Sequence, residues 1–184
     1  MKYFPPDESE GKSSASLSAA QRKAIDRKFL INYKAYQKQL TKLKGRISRQ
    51  AWNFFAFGFA EWGLHDACLL DLAVGDGLDH PVDGSRPFYI NKQKAKVRIL
   101  FLNFDQSLLY SFVCTDIRRV VFNYSVQDPR DGRRTELLET YELTSVNKHY
   151  LSLEFLFSSN ATLLVEFARL KFKRQRVSRA RINM

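Results

Sequence analysis

The chain has 184 residues, with 45% apolar and 14% aromatic content, enough for one domain with a sizeable core and too much for a wholly disordered protein. No apolar run approaches the roughly eighteen residues of a membrane-spanning helix, and Met1-Lys2-Tyr3-Phe4-Pro5-Pro6 lacks the apolar stretch of a secretory signal, so the expected address is cytoplasmic. The net charge of +11 is unevenly placed: residues 21–50 carry ten Lys or Arg against Asp26 alone, residues 169–184 carry seven and no acid, and residues 51–168 hold fifteen acidic against eleven basic groups. Two basic segments therefore flank a mildly acidic body.

Residues 1–16, with Pro5-Pro6, Asp7-Glu8-Ser9-Glu10 and Ser13-Ser14, read as a flexible tail. A Ser hydroxyl around Ser16-Leu17-Ser18 suits a helix start, because it accepts from an amide of the first turn. From Ala19 to about Arg46 the spacing predicts a helix. Phe29, Tyr33, Tyr36, Leu40, Leu43 and Ile47 recur at steps of three and four, while Lys34, Lys38 and Lys42 line another stripe. Gly45 marks its stop. Ser48 to Phe59 reads as a short, buried aromatic helix, which Trp62-Gly63 interrupts.

Beyond that point the period becomes two. Leu64–Val74, Lys94–Phe104, Leu108–Thr115, Ile117–Val126 and Leu137–Leu143 read as strands, separated by polar loops at 75–85 and 127–134. The clearest unit is Tyr150 to Phe172. Leu151, Leu153, Phe155 and Phe157 alternate with polar residues, Ser158-Ser159-Asn160-Ala161 supplies a turn, and Leu163, Val165 and Phe167 resume the alternation. That is a β-hairpin, which needs further strands or a helix to be stable in water. The predicted class is α+β: an N-terminal basic helix and a short aromatic helix packed on a mostly antiparallel sheet, or a small β-sandwich, of six to seven strands. The corresponding plan is a tail (1–16), a helical segment (17–60), a β-rich domain (61–172) and a basic tail (173–184).

Catalytic chemistry finds little support. His65-Asp66 precedes the first strand, but neighbours in an extended chain point to opposite faces, so a structural turn is the favoured reading over an acid–base pair. His80 sits among Asp76, Asp79 and Asp83, whose spacing lacks the alternate ligands of a calcium loop. His149 opens a strand. Cys68 and Cys114 lie in apolar strands and read as buried structural thiols. No phosphate-binding glycine loop, nucleophile elbow or paired zinc motif occurs, so an enzyme is the less favoured class, and no metal or cofactor is expected. What remains is charge. Lys34, Lys38, Lys42, Arg46, Arg49, Lys173, Arg174 and Arg176 are the candidate contacts to phosphates or to an acidic partner.

The start Met1-Lys2-Tyr3-Phe4 and the run Leu64-His65-Asp66-Ala67-Cys68 before a series of strands resemble a bacterial family of unknown function. Its members open with an MKYF-like start and carry an (F/L)-H-D-(C/A) motif at the first strand of a β-rich domain. Similar His-Asp starts occur in immunity-like proteins encoded beside toxins. The resemblance covers about residues 60–172 and the first four, while the helical region here is shorter and more basic than the family's. It implies a bacterial, non-enzymatic interaction domain and carries over no catalytic residue. The leading expectation is thus a protein-interaction module, immunity-like or accessory, that contacts a protein partner or a second copy through strand edges, aromatics between Trp52 and Trp62, and the basic helix. The alternative is a nucleic-acid-associated protein that holds phosphates with its basic helix and tail. Neither involves a membrane.

Overall fold

The computed structural model describes residues 2–4, 18–57, 64–75, 78–79, 89–90, 95–123 and 137–177. They form two helices, α1 (Ala19–Thr41) and α2 (Arg49–Phe57), and eight strands: β1 (Ala67–Gly75), β2 (Leu78–Asp79), β3 (Tyr89–Ile90), β4 (Lys96–Leu102), β5 (Leu108–Asn123), β6 (Leu137–Ser145), β7 (Leu151–Phe157) and β8 (Thr162–Arg176). Strands β2 and β3 pair only with each other. The other six close into an antiparallel barrel of order β1-β4-β5-β8-β7-β6. The α+β class with a mostly antiparallel sheet is therefore correct, and its strands close on themselves instead of stacking as a sandwich.

Capping sets where α1 begins. The Ser18 hydroxyl accepts from the Gln21 N–H at 3.3 Å and the Gln21 side chain accepts from the Ser18 N–H at 2.9 Å, a reciprocal capping box. The helix ends at Thr41, short of Arg46, because the chain turns through Gly45 at φ +95°, a conformation that favours glycine. The apolar stripe outlasts the helix, since Leu43 and Ile47 are buried from the turn. Helix α2 starts after Ser48, whose hydroxyl accepts from the Ala51 N–H at 3.2 Å. Gln37 donates to the Ala56 carbonyl at 2.9 Å and Trp52 donates to the Leu40 carbonyl at 3.0 Å, joining the helices.

Strands β5 and β8 carry the barrel. The sequence suggests two strands at Leu108–Thr115 and Ile117–Val126, but both sides of Asp116 keep pairing with β8, so one bent strand runs to Asn123. Asp116 takes φ +56° and a bulge follows between Ile117 and Arg119, which sharpens the bend. The first half of β5 pairs with β4 and the second half of β8, and the first half of β8 pairs with β7. The barrel is thus two half-sheets that share β5 and β8 across a corner. Asn160 at φ +64° closes the β7–β8 turn where Ser158-Ser159-Asn160-Ala161 predicts it.

The interior is largely aromatic. Phe54 of α2 inserts among Tyr110, Phe112, Tyr141 and Phe172, with ring centroids 4.5–5.7 Å away. Phe101, Phe112 and Phe155 meet deeper in the barrel. Burying each such side chain stabilises the fold by about 1.5–3 kcal/mol. Closure is narrow: β1 pairs with β6 only through Ala67–Leu138 and Cys68–Leu137. Helix α1 covers the edge of β6 left open beyond them. There the Tyr36 hydroxyl accepts from the Leu143 N–H at 3.0 Å. The Gln39 amide, oriented with its oxygen toward the Ser145 N–H (3.0 Å), donates to the Leu143 carbonyl (3.3 Å). An exposed strand edge is a template for aggregation, and these side chains occupy it.

Candidate functional site

Alternation and register together define the outward face of the half-sheet β1-β4-β5-β8. Val97, Ile99 and Phe101 of β4 are buried, as are Tyr110, Phe112 and Cys114 of β5 and Leu170 and Phe172 of β8. The residues between them point out. On β4 these include Lys96 and Arg98, and on β8 they are Arg169, Lys171 and Lys173, all five exposed. The register sets them in rows across β5: Lys96–Thr115–Arg169, Arg98–Val113–Lys171 and Leu100–Ser111–Lys173. Basic side chains thus rise from the two outer strands, and the short side chains Ser111, Val113 and Thr115 of β5 lie between. Asp71 takes Arg98 at 2.8 Å and Asp116 takes Arg169 at 2.9 Å. Exposed pairs of this kind contribute little to stability, about 0–1 kcal/mol. Five cations against two carboxylates leave the face positive.

At one end of that face the β4–β5 turn holds Phe104 in solvent, 76% exposed. The turn is firmly tied. The Asn103 side chain accepts from the Leu108 N–H at 2.8 Å, and the Asp105 carboxylate accepts from the Ser107 N–H at 2.9 Å and its hydroxyl at 2.6 Å. The Ser107 hydroxyl beside it holds the Asp105 carboxyl below its ordinary value. The chain beyond β8 returns to this turn, with the Val177 N–H donating to the Ser107 carbonyl at 2.9 Å.

The other half-sheet differs. Glu142 of β6 points outward yet is fully buried, because residues 2–4 lie across it. The N–H groups of Lys2 (2.9 Å), Tyr3 (2.7 Å) and Phe4 all donate to its carboxylate. The Phe4 ring packs at a tilt against Phe29 and edge-on against Tyr36 of α1. Burial drives the Tyr36 phenol well above its ordinary value, and it does the same to Tyr141 inside the barrel. Residues 2–4 are therefore docked, in contrast to the tail expected over 1–16; the rest of that tail lies outside the described residues.

The sequence-derived contacts divide. Lys34 and Lys38 are exposed on α1, Lys42 is exposed just past its end, and Arg49 is exposed at the start of α2. Arg46 is structural, since its guanidinium donates to the Ser145 hydroxyl at 2.7 Å and the Tyr150 carbonyl at 3.3 Å. Lys173, Arg174 and Arg176 belong to β8 and not to a tail beginning at 173, because the strand continues to Arg176. Lys173 joins the outward row, whereas Arg174 and Arg176 sit opposite Tyr110 and Leu108 on the alternate side. The helix cations lie on an element packed against α2 and β6, apart from the strand cations.

His65 and Asp66 do touch, at 3.0 Å, contrary to the extended-chain argument. They do so because Asp66 turns at φ +58°, with its N–H donating to the Leu138 carbonyl at 2.9 Å. Both side chains are half-exposed, and the turn starts β1 at Ala67 instead of Leu64. His149 lies in a turn before β7, its N–H donating to the Asn147 side chain at 2.8 Å. His80, Asp76 and Asp83 lie outside the described residues. Cys114 is buried, with its thiol pushed up by desolvation, but Cys68 is only half-buried. Trp52 is half-buried, Phe54 and Phe55 are buried, and Phe57 is exposed, so within the described part of the expected aromatic surface only Phe57 offers an exposed ring; residues 58–63 lie outside the described residues. Among the described residues, no three metal-ligating side chains cluster, and no helix is long and apolar enough to cross a membrane.

Of the outward cations, Lys96 and Arg98 lie outside the two basic segments of the sequence, whereas Arg169 and Lys171 fall in the C-terminal one without being among its named contacts. Their signal was present as Lys-x-Arg in β4 and Arg-x-Lys-x-Lys in β8, with basic residues at every outward position of the run. Strand order was not, and only the order places β5 between them. Comparison with known protein families, with curated proteins and with solved structures finds no match for this chain.

Proposed function

We propose that this protein is a non-enzymatic binding module whose partner is nucleic acid, held on the outward face of β4, β5 and β8. The supporting observation is the placement of Lys96, Arg98, Arg169, Lys171 and Lys173 on one face of one half-sheet. Cations in rows neutralise phosphates and release counterions, which gives affinity without sequence choice. This reading prefers the strand cations to those of α1, and so revises which of the basic residues make contact. A protein partner is the second reading, favoured by Leu30 and Ile31 of α1, which are 54% and 59% exposed beside the basic residues of that helix.

Fluorescence anisotropy with a labelled mixed-sequence oligonucleotide tests the first reading. The expected result is binding that weakens steeply between about 50 and 200 mM salt. Absence of binding at the lower salt would refute it and leave the protein partner in first place.

A further inference from the structure

We infer that the same face is a track for one single strand of nucleic acid, with Phe104 as the platform on which a base stacks. This rests on the phosphate-binding reading and narrows it. Strands lie about 4.8 Å apart, so the β4 and β8 cations stand on lines about 10 Å from each other, with β5 between them. Along β8, Arg169, Lys171 and Lys173 repeat every second residue, or about 6.8 Å. The floor is shallow, because Ser111, Val113 and Thr115 are short. Two such lines can hold one sugar–phosphate chain lying along the strands over β5, with cations on both sides of it within reach of its phosphates.

The second observation is independent of charge. Phe104 is the most exposed large apolar side chain described, and it stands at the end of the track on a turn fixed by Asn103, Asp105 and Ser107. A rigid ring held in water gains nothing for folding. An unpaired base gives it a flat partner, and only a strand with unstacked bases presents one. The β4–β5 hairpin and the end of β8 meet at this turn through the Val177–Ser107 hydrogen bond, so the track leads toward the ring.

The test compares a labelled twelve-nucleotide single strand with a duplex of the same length, using wild type, Phe104→Ala, and Lys34→Glu/Lys38→Glu on α1. The single strand is expected to bind at least ten-fold more tightly than the duplex. Phe104→Ala should weaken it roughly ten-fold, the scale of one base stack, without changing the salt slope. The α1 variant should leave it unchanged. Equal binding of strand and duplex with Phe104→Ala neutral would overturn the track and leave the phosphate-binding reading standing. A loss confined to the α1 variant would overturn the choice of face. Failure of both ligands to bind at low salt would remove the reading and the track together.

Discussion

The two half-sheets of the barrel share β5 and β8, follow the same alternation and bury the same kinds of residue, but their outward faces are finished in opposite ways. Around β6 and β7 the outward positions include Glu142, Glu154 and Glu166; residues 2–4 lie over Glu142, α1 runs along the open edge of β6, and Arg118 answers Glu166 at 3.4 Å. Around β4 and β8 the outward positions include Lys96, Arg98, Arg169, Lys171 and Lys173, and these five are exposed. A charged side chain therefore has a different meaning on each side. Glu142 is an acceptor for three backbone amides and belongs to the fold, whereas Lys171 and Lys173 contribute little to folding and are available to a partner.

Substitutions should separate the two sides by what they change. Phe54→Ala, which empties the contact between α2 and the barrel, is expected to cost about 3–5 kcal/mol in denaturant unfolding. Next comes Glu142→Gln, which keeps one acceptor oxygen but replaces the other with an NH2 that cannot accept from the backbone N–H facing it. A loss of about 1–3 kcal/mol is expected, together with faster amide exchange at residues 2–4. A thermal melt unchanged by Glu142→Gln would mean that the clasp is not part of the folded state's stability.

Alkaline pH gives a smaller, graded effect. The Cys114 thiol and the Tyr36 and Tyr141 phenols are raised by burial, so the unfolded chain loses these protons first. Their contribution is complete below the unfolded thiol value of about 8.5. Stability then falls as pH rises, at about 1.4 kcal/mol per pH unit from the thiol, and more steeply above about 10 as the phenols join. Melting curves of Cys114→Ala should lose the part of the decline between those two values. The smallest expected effect is that of His65→Ala. Its exposed pair with Asp66 contributes less than about 0.5 kcal/mol, and nucleic-acid binding should be unaffected; a loss of binding without unfolding would give His65 a role that the present account denies it.

Periodicity made the elements legible, because local spacing is all that an amphipathic helix or a half-buried strand requires. The β7–β8 hairpin, the stripe from Phe29 to Ile47 and the aromatic segment of α2 all follow from it. What escaped depended on contacts distant in sequence. Asp116 reads as a break between strands, yet pairing with β8 on both sides makes it a bend. Glu142 reads as an ordinary outward residue of a strand, and nothing near it indicates that amides some 140 positions away will bury it. The basic face has the same origin: β4 and β8 show their cations plainly, and the barrel's order brings them together.

The most direct measurement is of Lys171→Glu/Lys173→Glu, with stability and nucleic-acid binding read on the same sample. The expected result is a melting temperature close to wild type and single-strand affinity lowered at least ten-fold. The slope of log K against log salt should also become shallower by about 1.4, the value for two phosphate contacts to a single strand. A variant that melts like wild type and binds with the same affinity and slope would contradict the assignment of the β4-β5-β8 face.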